Sequence, residues 1–479
     1  MHRKSTPLLP GFPHRLGRPR VPRIKRIREE LSERARREFG ELRSLFSPWV
    51  DSSFLAPTKS KANSRNRIFS LEVVFWGFLL QVLSNMGCRG AVAMIQSWMV
   101  NKGRTVPSSK PSAYSKARKR LPMSVLNNIL SEMSSRISGC VSTSGLWHGR
   151  HVKVVDGTGL SAADTAPNQA QWPQSSNMTA GCGFPELKLT GLFCLHSGAL
   201  LGWKEGNKHD CETRLWRKMW DLLCPGDVIV GDRAFGSYAC IAALLQRGVD
   251  GLYRLHAARK VDWRKGRRLG PRDRVQLWQR PRTPGRGWTN SQWADLPAEI
   301  RVRLVQRTVD VPGFRSKKIT VVTTLLDAVE YTADELVGLY RRRWAVELFL
   351  RDIKITLGMD VLTCKTPAMV RKELLMHLIC YNLLRAMMQA AACQEGLCPA
   401  DISFSATAET LSEWLWLFMD TALSQTERKR RLSEFYKALA MAPVLKRPDR
   451  VEPRVRKRRP KDYPLMTMPR DARKPEKTA

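Results

Sequence analysis

From His151 the chain reads HVKVVDGTGLSAAD (151–164), and after Pro225-Gly226 it reads DVIVGDRAFG (227–236). Each stretch is a short apolar, β-branched run that ends on an aspartate and passes into turn residues, the pattern of a buried strand. Between them KLTGLFCLHSGALLGWKEG (188–206) reads as a hairpin turning at Ser197-Gly198, and DCETRLWRKMWDLL (210–223) reads as a helix. After them come SYACIAALLQRG (237–248), a helix closed by Gly248, and GLYRLH (251–256), a further strand. The order strand, hairpin, helix, strand, helix, strand predicts an α/β sheet with mixed strand directions.

Outward from this block the pattern changes on both sides. Residues 66–138 carry helical spacing, in SLEVVFWGFLLQVL, GAVAMIQSWMV, AYSKARKRL and SVLNNILSEMSSRI, separated by turn-like NMGCRG and VPSSKPS. Lys110, Lys116, Arg118, Lys119 and Arg120 in this region are candidates to grip phosphates. Residues 257–316, rich in Arg, Pro, Gly and Trp, are too long for a loop and read as an inserted subdomain of short strands. KKITVVTTLL (317–326) returns the chain to the sheet, and Ala333 to about Ala392 is predicted helical throughout. The expected division is a basic arm and helix over 1–65, a helical DNA-binding domain over 66–148, an α/β domain over 149–392 with its β insertion at about 257–316, and C-terminal helices with a basic tail, expected to be disordered, over 393–479.

The chain has 479 residues, with 81 Lys and Arg against 43 Asp and Glu, a net charge of +38. An apolar share of 43% with 26% charged residues is ordinary globular composition, so the charge is not that of a wholly disordered chain. It implies a polyanionic partner, nucleic acid before an anionic membrane. The longest apolar runs, Phe69 to Leu83 and Leu374 to Ala392, are broken by Glu72 and Gln81 and by His377, Asn382 and Arg385, so neither reads as a membrane span. No secretory leader is legible at the N-terminus, and a cytoplasmic, nucleoid-associated protein is expected. Eleven cysteines, an odd number with no C-x-x-C pair, argue against a disulfide framework and a zinc finger.

A strand-end aspartate taken alone is more often a turn or cap residue. A third acid comes from LYRRRWAVELFLRDIKITLGMD (339–360). With Tyr340 at zero and about 100° per residue, Arg343, Glu347 and Lys354 fall near about 300°, 340° and 320°, on one narrow helix face. Three acids, two from strand ends and one from a helix, are hard oxygen donors suited to a pair of divalent cations, and the adjoining Arg and Lys suit phosphates. On a basic protein this implies phosphodiester chemistry.

These residues resemble a family. Asp156, Asp232 and Glu347, in a strand order like that of ribonuclease H, are similar to the triad of DDE cut-and-paste transposases, and Tyr340-x2-Arg343-x3-Glu347-x6-Lys354 resembles the Y-R-E-K motif of the bacterial insertion sequence four family. The separations, 232 − 156 = 76 and 347 − 232 = 115 residues, also fit, the larger because family members carry a β-rich insertion. The resemblance implies a ribonuclease H-like catalytic core preceded by an all-helical domain, and an enzyme that cleaves DNA at terminal inverted repeats and joins the ends to target DNA. It further implies that Asp156, Asp232 and Glu347 hold two Mg²⁺ ions, with Mn²⁺ able to substitute, that Tyr340, Arg343 and Lys354 contact DNA, and that a dimer assembles on the DNA ends. The alternative is a non-catalytic DNA-binding protein, a decayed or domesticated copy. In the insertion, 12 basic residues between Arg254 and Arg286 stand against two acids, Asp262 and Asp273, with tryptophans interleaved. Trp278, Trp288 and Trp293 are candidates for stacking an unpaired base.

Overall fold

The computed structural model describes residues 45–56, 68–101, 105–308, 318–414, 424–445 and 466–469. The basic N-terminal arm and nearly all of the tail from 446 onward lie outside them.

Four helices come first: α1 (Leu71–Leu83), α2 (Cys88–Asn101), α3 (Ser112–Arg120) and α4 (Met123–Gly139). Helix α1 opens where the Ser70 hydroxyl accepts the amide of Val73 and is buried almost all round, which its unbroken apolar sequence requires. Next come β1 (Val152–Ala162), α5 (Ala166–Gln171), β2 (Glu186–Cys194), β3 (Leu200–Gly206), α6 (Glu212–Arg217), β4 (Val228–Gly231), α7 (Tyr238–Leu245) and β5 (Asp250–Arg254). The insertion supplies β6 (Arg267–Gly270), β7 (Asp273–Gln279), α8 (Asn290–Ala294) and β8 (Glu299–Thr308). It is followed by β9 (Lys318–Thr323), α9 (Ala333–Arg342), α10 (Ala345–Arg351), β10 (Val361–Leu362), α11 (Pro367–Glu395), α12 (Phe404–Trp414) and α13 (Gln425–Ala440).

The architecture is mixed α/β around one large sheet of order β3-β2-β1-β4-β5-β9-β8-β7-β6, with β10 beside the end of β1. β1, β4 and β5 run parallel, whereas β2 and β3 on one side and β9 to β6 on the other are antiparallel. Two expectations change here. The insertion does not build a sheet of its own: β8 pairs with β9 from Arg303↔Thr323 to Thr308↔Lys318, so its strands lengthen the main sheet and need no second core. The stretch from Ala333 to Ala392 is not helical throughout, because β10 interrupts it to pair with Ser161 and Ala162 at the end of β1.

The sheet separates two apolar layers. One face packs with the first four helices and α11 in a continuous core running from Leu45 to Leu439. The other packs with α6 and α7 through Val155, Ile229, Tyr253 and Val322. Helix α11 explains its own polar interruptions. Buried Asn382 accepts the amide of Leu200 through Oδ1 and donates to the carbonyl of Leu200 through Nδ2, both at 2.9 Å, which fixes the helix to the start of β3. Arg385 donates to Asp352 at 2.8 Å. Among the described residues no helix is long and apolar enough to cross a membrane.

Candidate active site

Strands β1 and β4 set the position of the two aspartates. Their parallel register pairs Val155 with Gly231, so Asp156 and Asp232 occupy the next level on neighbouring strands, which lie about 4.8 Å apart in a sheet. The sequence pattern ends β1 at Asp156. In the structure β1 continues to Ala162, because β2 pairs with it along the whole of that length. Asp156 is therefore mid-strand, opposite the point where β4 stops, and Gly157 and Gly159 are strand residues rather than a turn.

The third acid arrives on a distorted helix. Thr332 and Glu335 form a capping box at the start of α9. At its end the amides of Arg343, Trp344, Val346 and Glu347 donate to carbonyls three residues back, a tightened turn that separates α9 from α10. A π-helical turn, Asp352–Thr356, follows α10. The tight turn overwinds the chain and the π turn underwinds it. The two distortions act in opposite senses, so Tyr340, Arg343, Glu347 and Lys354 still face one place, although no single regular helix carries them.

Arg343 is the hub. Its Nη1 donates to Asp156 Oδ2 and its Nη2 to Glu347 Oε1, each at 3.1 Å. Burial opposes its charge, but Tyr340, Asp156, Glu347 and Asp232 together hold its pKa above the ordinary value. Burial pushes Asp156 up to about 6, against the Gly157 amide that donates to it at 2.8 Å and against Arg343; Glu212 and Glu347 add to the rise. Tyr340 is 7% exposed, and burial raises its hydroxyl above the usual value while Arg343 opposes the rise. Lys354 donates to Thr158 Oγ1 at 3.2 Å and to the carbonyl of Gly159 at 2.8 Å, which anchors the π turn on β1 just beyond Asp156.

The donor chemistry, carboxylate oxygen from three elements, suits hard divalent cations such as Mg²⁺ or Mn²⁺. Among the described residues, no three acid, histidine or cysteine side chains lie close enough to hold one ion. Asp156 and Glu347 are instead drawn onto Arg343. Glu212, at the start of α6, has no role in the sequence reading; its charge is one of those that raise Asp156.

The tryptophans divide. Trp278 and Trp293 are each 7% exposed and belong to the core layer beneath α6 and α7, with Arg259 over the ring of Trp278 at 3.7 Å and Trp293 Nε1 donating to the carbonyl of Pro281 at 3.0 Å. Their rings offer little open face for a base. Trp288 is half-buried beneath the guanidinium of Arg217 at 3.8 Å, in a cleft of about 670 Å³ lined also by Trp220, Arg214, Lys218 and Arg247. Arg118, read as a phosphate-gripping candidate, is 4% exposed and stacks on Phe78 at 3.8 Å, with its Nη atoms on Cys88 and Cys364. It ties α3 to the chain after β10.

A family described as transposase DDE domain matches residues 147–383. The chain is 26% identical over 408 residues to transposase InsG of insertion sequence element IS4 from Escherichia coli (strain K12), an alignment that covers 84% of this chain and 88% of the relative. Among solved structures, it resembles a piggyBac transposase synaptic complex with hairpin DNA at a TM-score of 0.39 and 9% identity, over 85% of this chain and 84% of that one, a likeness too distant to inform the site.

Proposed function

The chain belongs to the bacterial DDE transposases of the IS4 family, and on that premise we propose that it cleaves DNA at the terminal inverted repeats of its element and joins the freed ends to target DNA. The observation that carries this reading is the meeting of Asp156 and Glu347 on Arg343, with Asp232 one strand away, although 76 and 115 residues separate the three acids. The strand order β3-β2-β1-β4-β5, with β1, β4 and β5 parallel, supports a ribonuclease H-like core.

Asp156, Asp232 and Glu347 would hold two divalent cations. When bound, such ions activate an attacking hydroxyl and stabilise the leaving oxygen. Arg343 shares its charge between Asp156 and Glu347 and so orients both carboxylates; a DNA phosphate is a natural competitor for its two nitrogens. Lys354 fixes the π turn to β1 and presents a positive charge beside Asp156. Tyr340 packs against Arg343 and limits its movement. The helices of 66–148 would bind the repeat, and the dimer would form on paired DNA ends. The cleft at Trp288 supports a place where an unpaired base stacks, with Arg214, Arg217, Lys218 and Arg247 on its phosphates. Trp288→Ala is then expected to nick normally and to accumulate an unprocessed intermediate, as read on a denaturing gel.

A plasmid carrying the element between its own repeats tests the main reading. Wild type is expected to excise and reinsert it in the presence of Mg²⁺ or Mn²⁺. Asp156→Asn, Asp232→Asn and Glu347→Gln are each expected to abolish both steps while leaving repeat binding intact in a gel shift. Residual cleavage in any of the three would remove that residue from the metal set.

A further inference from the structure

The row of residues that carries Asp156 and Asp232 continues onto a third strand. Val155 pairs with Gly231 between β1 and β4, and Gly231 pairs with Tyr253 between β4 and β5. The next residues, Asp156, Asp232 and Arg254, therefore stand at one level on three neighbouring parallel strands, each about 4.8 Å from the last. Arg254 in turn pairs with Val321 on β9. Beyond it opens a recess of about 310 Å³, lined by Arg233, which follows Asp232, and by Arg254, Arg259 and Lys318, with Trp263 as one wall.

No acid is among the described residues that line this recess. Asp262, beside Trp263 in the chain, accepts the amide of Arg264 at 3.0 Å. Arg233, Arg259 and Lys318 have no carboxylate partner among the described residues, and Arg259 lies over the ring of Trp278. The opposite end of the same three strands is different. There Arg150 meets Asp250 at 2.5 Å and Lys153 meets Asp227 at 2.6 Å, so both cations are matched. Cations gathered without acids repel one another unless an anion joins them, and guanidinium and ammonium groups together suit phosphate oxygens.

The sheet order supplies a direction. The helices of 66–148 reach the β3 edge, where Ser134 on α4 donates to the carbonyl of Leu200 at 2.7 Å. The recess lies on β5 and β9, on the other side of β1 and β4. DNA held by those helices meets the acids from the β3 side, and DNA that continues past the cleaved bond runs toward Arg254. We propose that the recess seats backbone phosphates of the DNA beyond the element's end, the flank before the cut and the target after it. This rests on the transposase reading above and on those helices binding the repeat.

The test has two arms, both on the full chain. In EDTA, where no cleavage occurs, fluorescence anisotropy over a salt series compares a terminal-repeat duplex that ends flush with one that runs on into flanking DNA. Wild type is expected to bind the flanked duplex more tightly and with a steeper slope. Arg233→Ala with Lys318→Ala is expected to lower the magnitude of that slope by about 2 and to leave the flush duplex as in wild type. If the urea midpoint of the double variant falls, Lys318→Ala alone reads the same effect at about 1. In the second arm, flush ends are joined to a target plasmid with Mg²⁺, and Lys318→Ala is expected to join about tenfold less product at equal end binding. Loss in the first arm alone assigns the recess to the flank, and loss in the second alone to the target; either upholds the inference. Equal loss on flush and flanked duplexes, or no loss in either arm, overturns it. If wild type does not prefer the repeat to unrelated duplex, the transposase reading itself falls.

Discussion

Arg343 shows how one side chain can hold a site together. Its guanidinium bridges carboxylates from a strand and a helix, and its own side chain is 14% exposed. Removing it leaves two like charges facing each other in a partly dry environment. Because Glu347 is more than a third exposed, water screens part of that cost. Arg343→Gln is expected to destabilise the chain by about 1–3 kcal/mol in EDTA, measured by urea unfolding, with Mg²⁺ restoring part of the loss through binding to the folded state. His377 gives a pH test. Burial pushes it down to about 4, partly offset by Glu373. The unfolded residue takes up a proton near the ordinary value of about 6.5, and the folded one only lower, so stability present above that value is lost as pH falls toward the folded value. Wild type should lose about 2 kcal/mol from this residue between pH 7 and pH 5. His377→Gln should lack that component in urea titrations at the two pH values.

At the scale of elements, a buried ion pair joins two strands of the insertion, and the same arginine ties them to the chain that follows β9. Arg303 on β8 donates to both oxygens of Asp273 on β7, at 2.9 and 2.6 Å, and also to the carbonyls of Asp327 and Tyr331. The two side chains are 1% and 5% exposed, so neither charge can turn to water if its partner is removed. Asp273→Ala is expected to cost about 3–5 kcal/mol, read as a fall in the urea midpoint. Arg303→Met combined with Asp273→Leu should recover most of it, since an apolar pair of similar volume needs no partner. Helix α6 works at the same scale, since its Arg214 and Arg217 line the Trp288 cleft.

At the scale of the molecule, a net charge of +38 must act on a partner. Each phosphate neutralised contributes about −0.9 to the slope of log K against log salt on duplex DNA. Arg214→Ala with Arg247→Ala is expected to lower the magnitude of that slope by about 2, measured by fluorescence anisotropy on the terminal repeat over a salt series. An unchanged slope would take the cleft off the DNA backbone. Arg118→Ala should leave the slope alone and lower stability, because its guanidinium is inside the protein.

What the sequence determined by itself was whatever depends on local period and composition: the alternation of strand and helix after His151, the two aspartates one level past their apolar runs, and the spacing from Tyr340 to Lys354. Those signals survive because a residue's face on a strand or helix follows from its near neighbours in the chain. Tertiary structure decided what covers each face. Trp278 and Trp293 read like surface aromatics in a basic stretch, and α6 and α7, distant in sequence, bury them. Arg118 sits among exposed-looking lysines, and Phe78, Cys88 and Cys364 close around it. The pattern VVDGTG suggests a strand that stops, and β2 carries it on to Ala162. Packing between segments far apart in the chain sets burial and charge environment, and no period along the chain encodes which segment will be the neighbour.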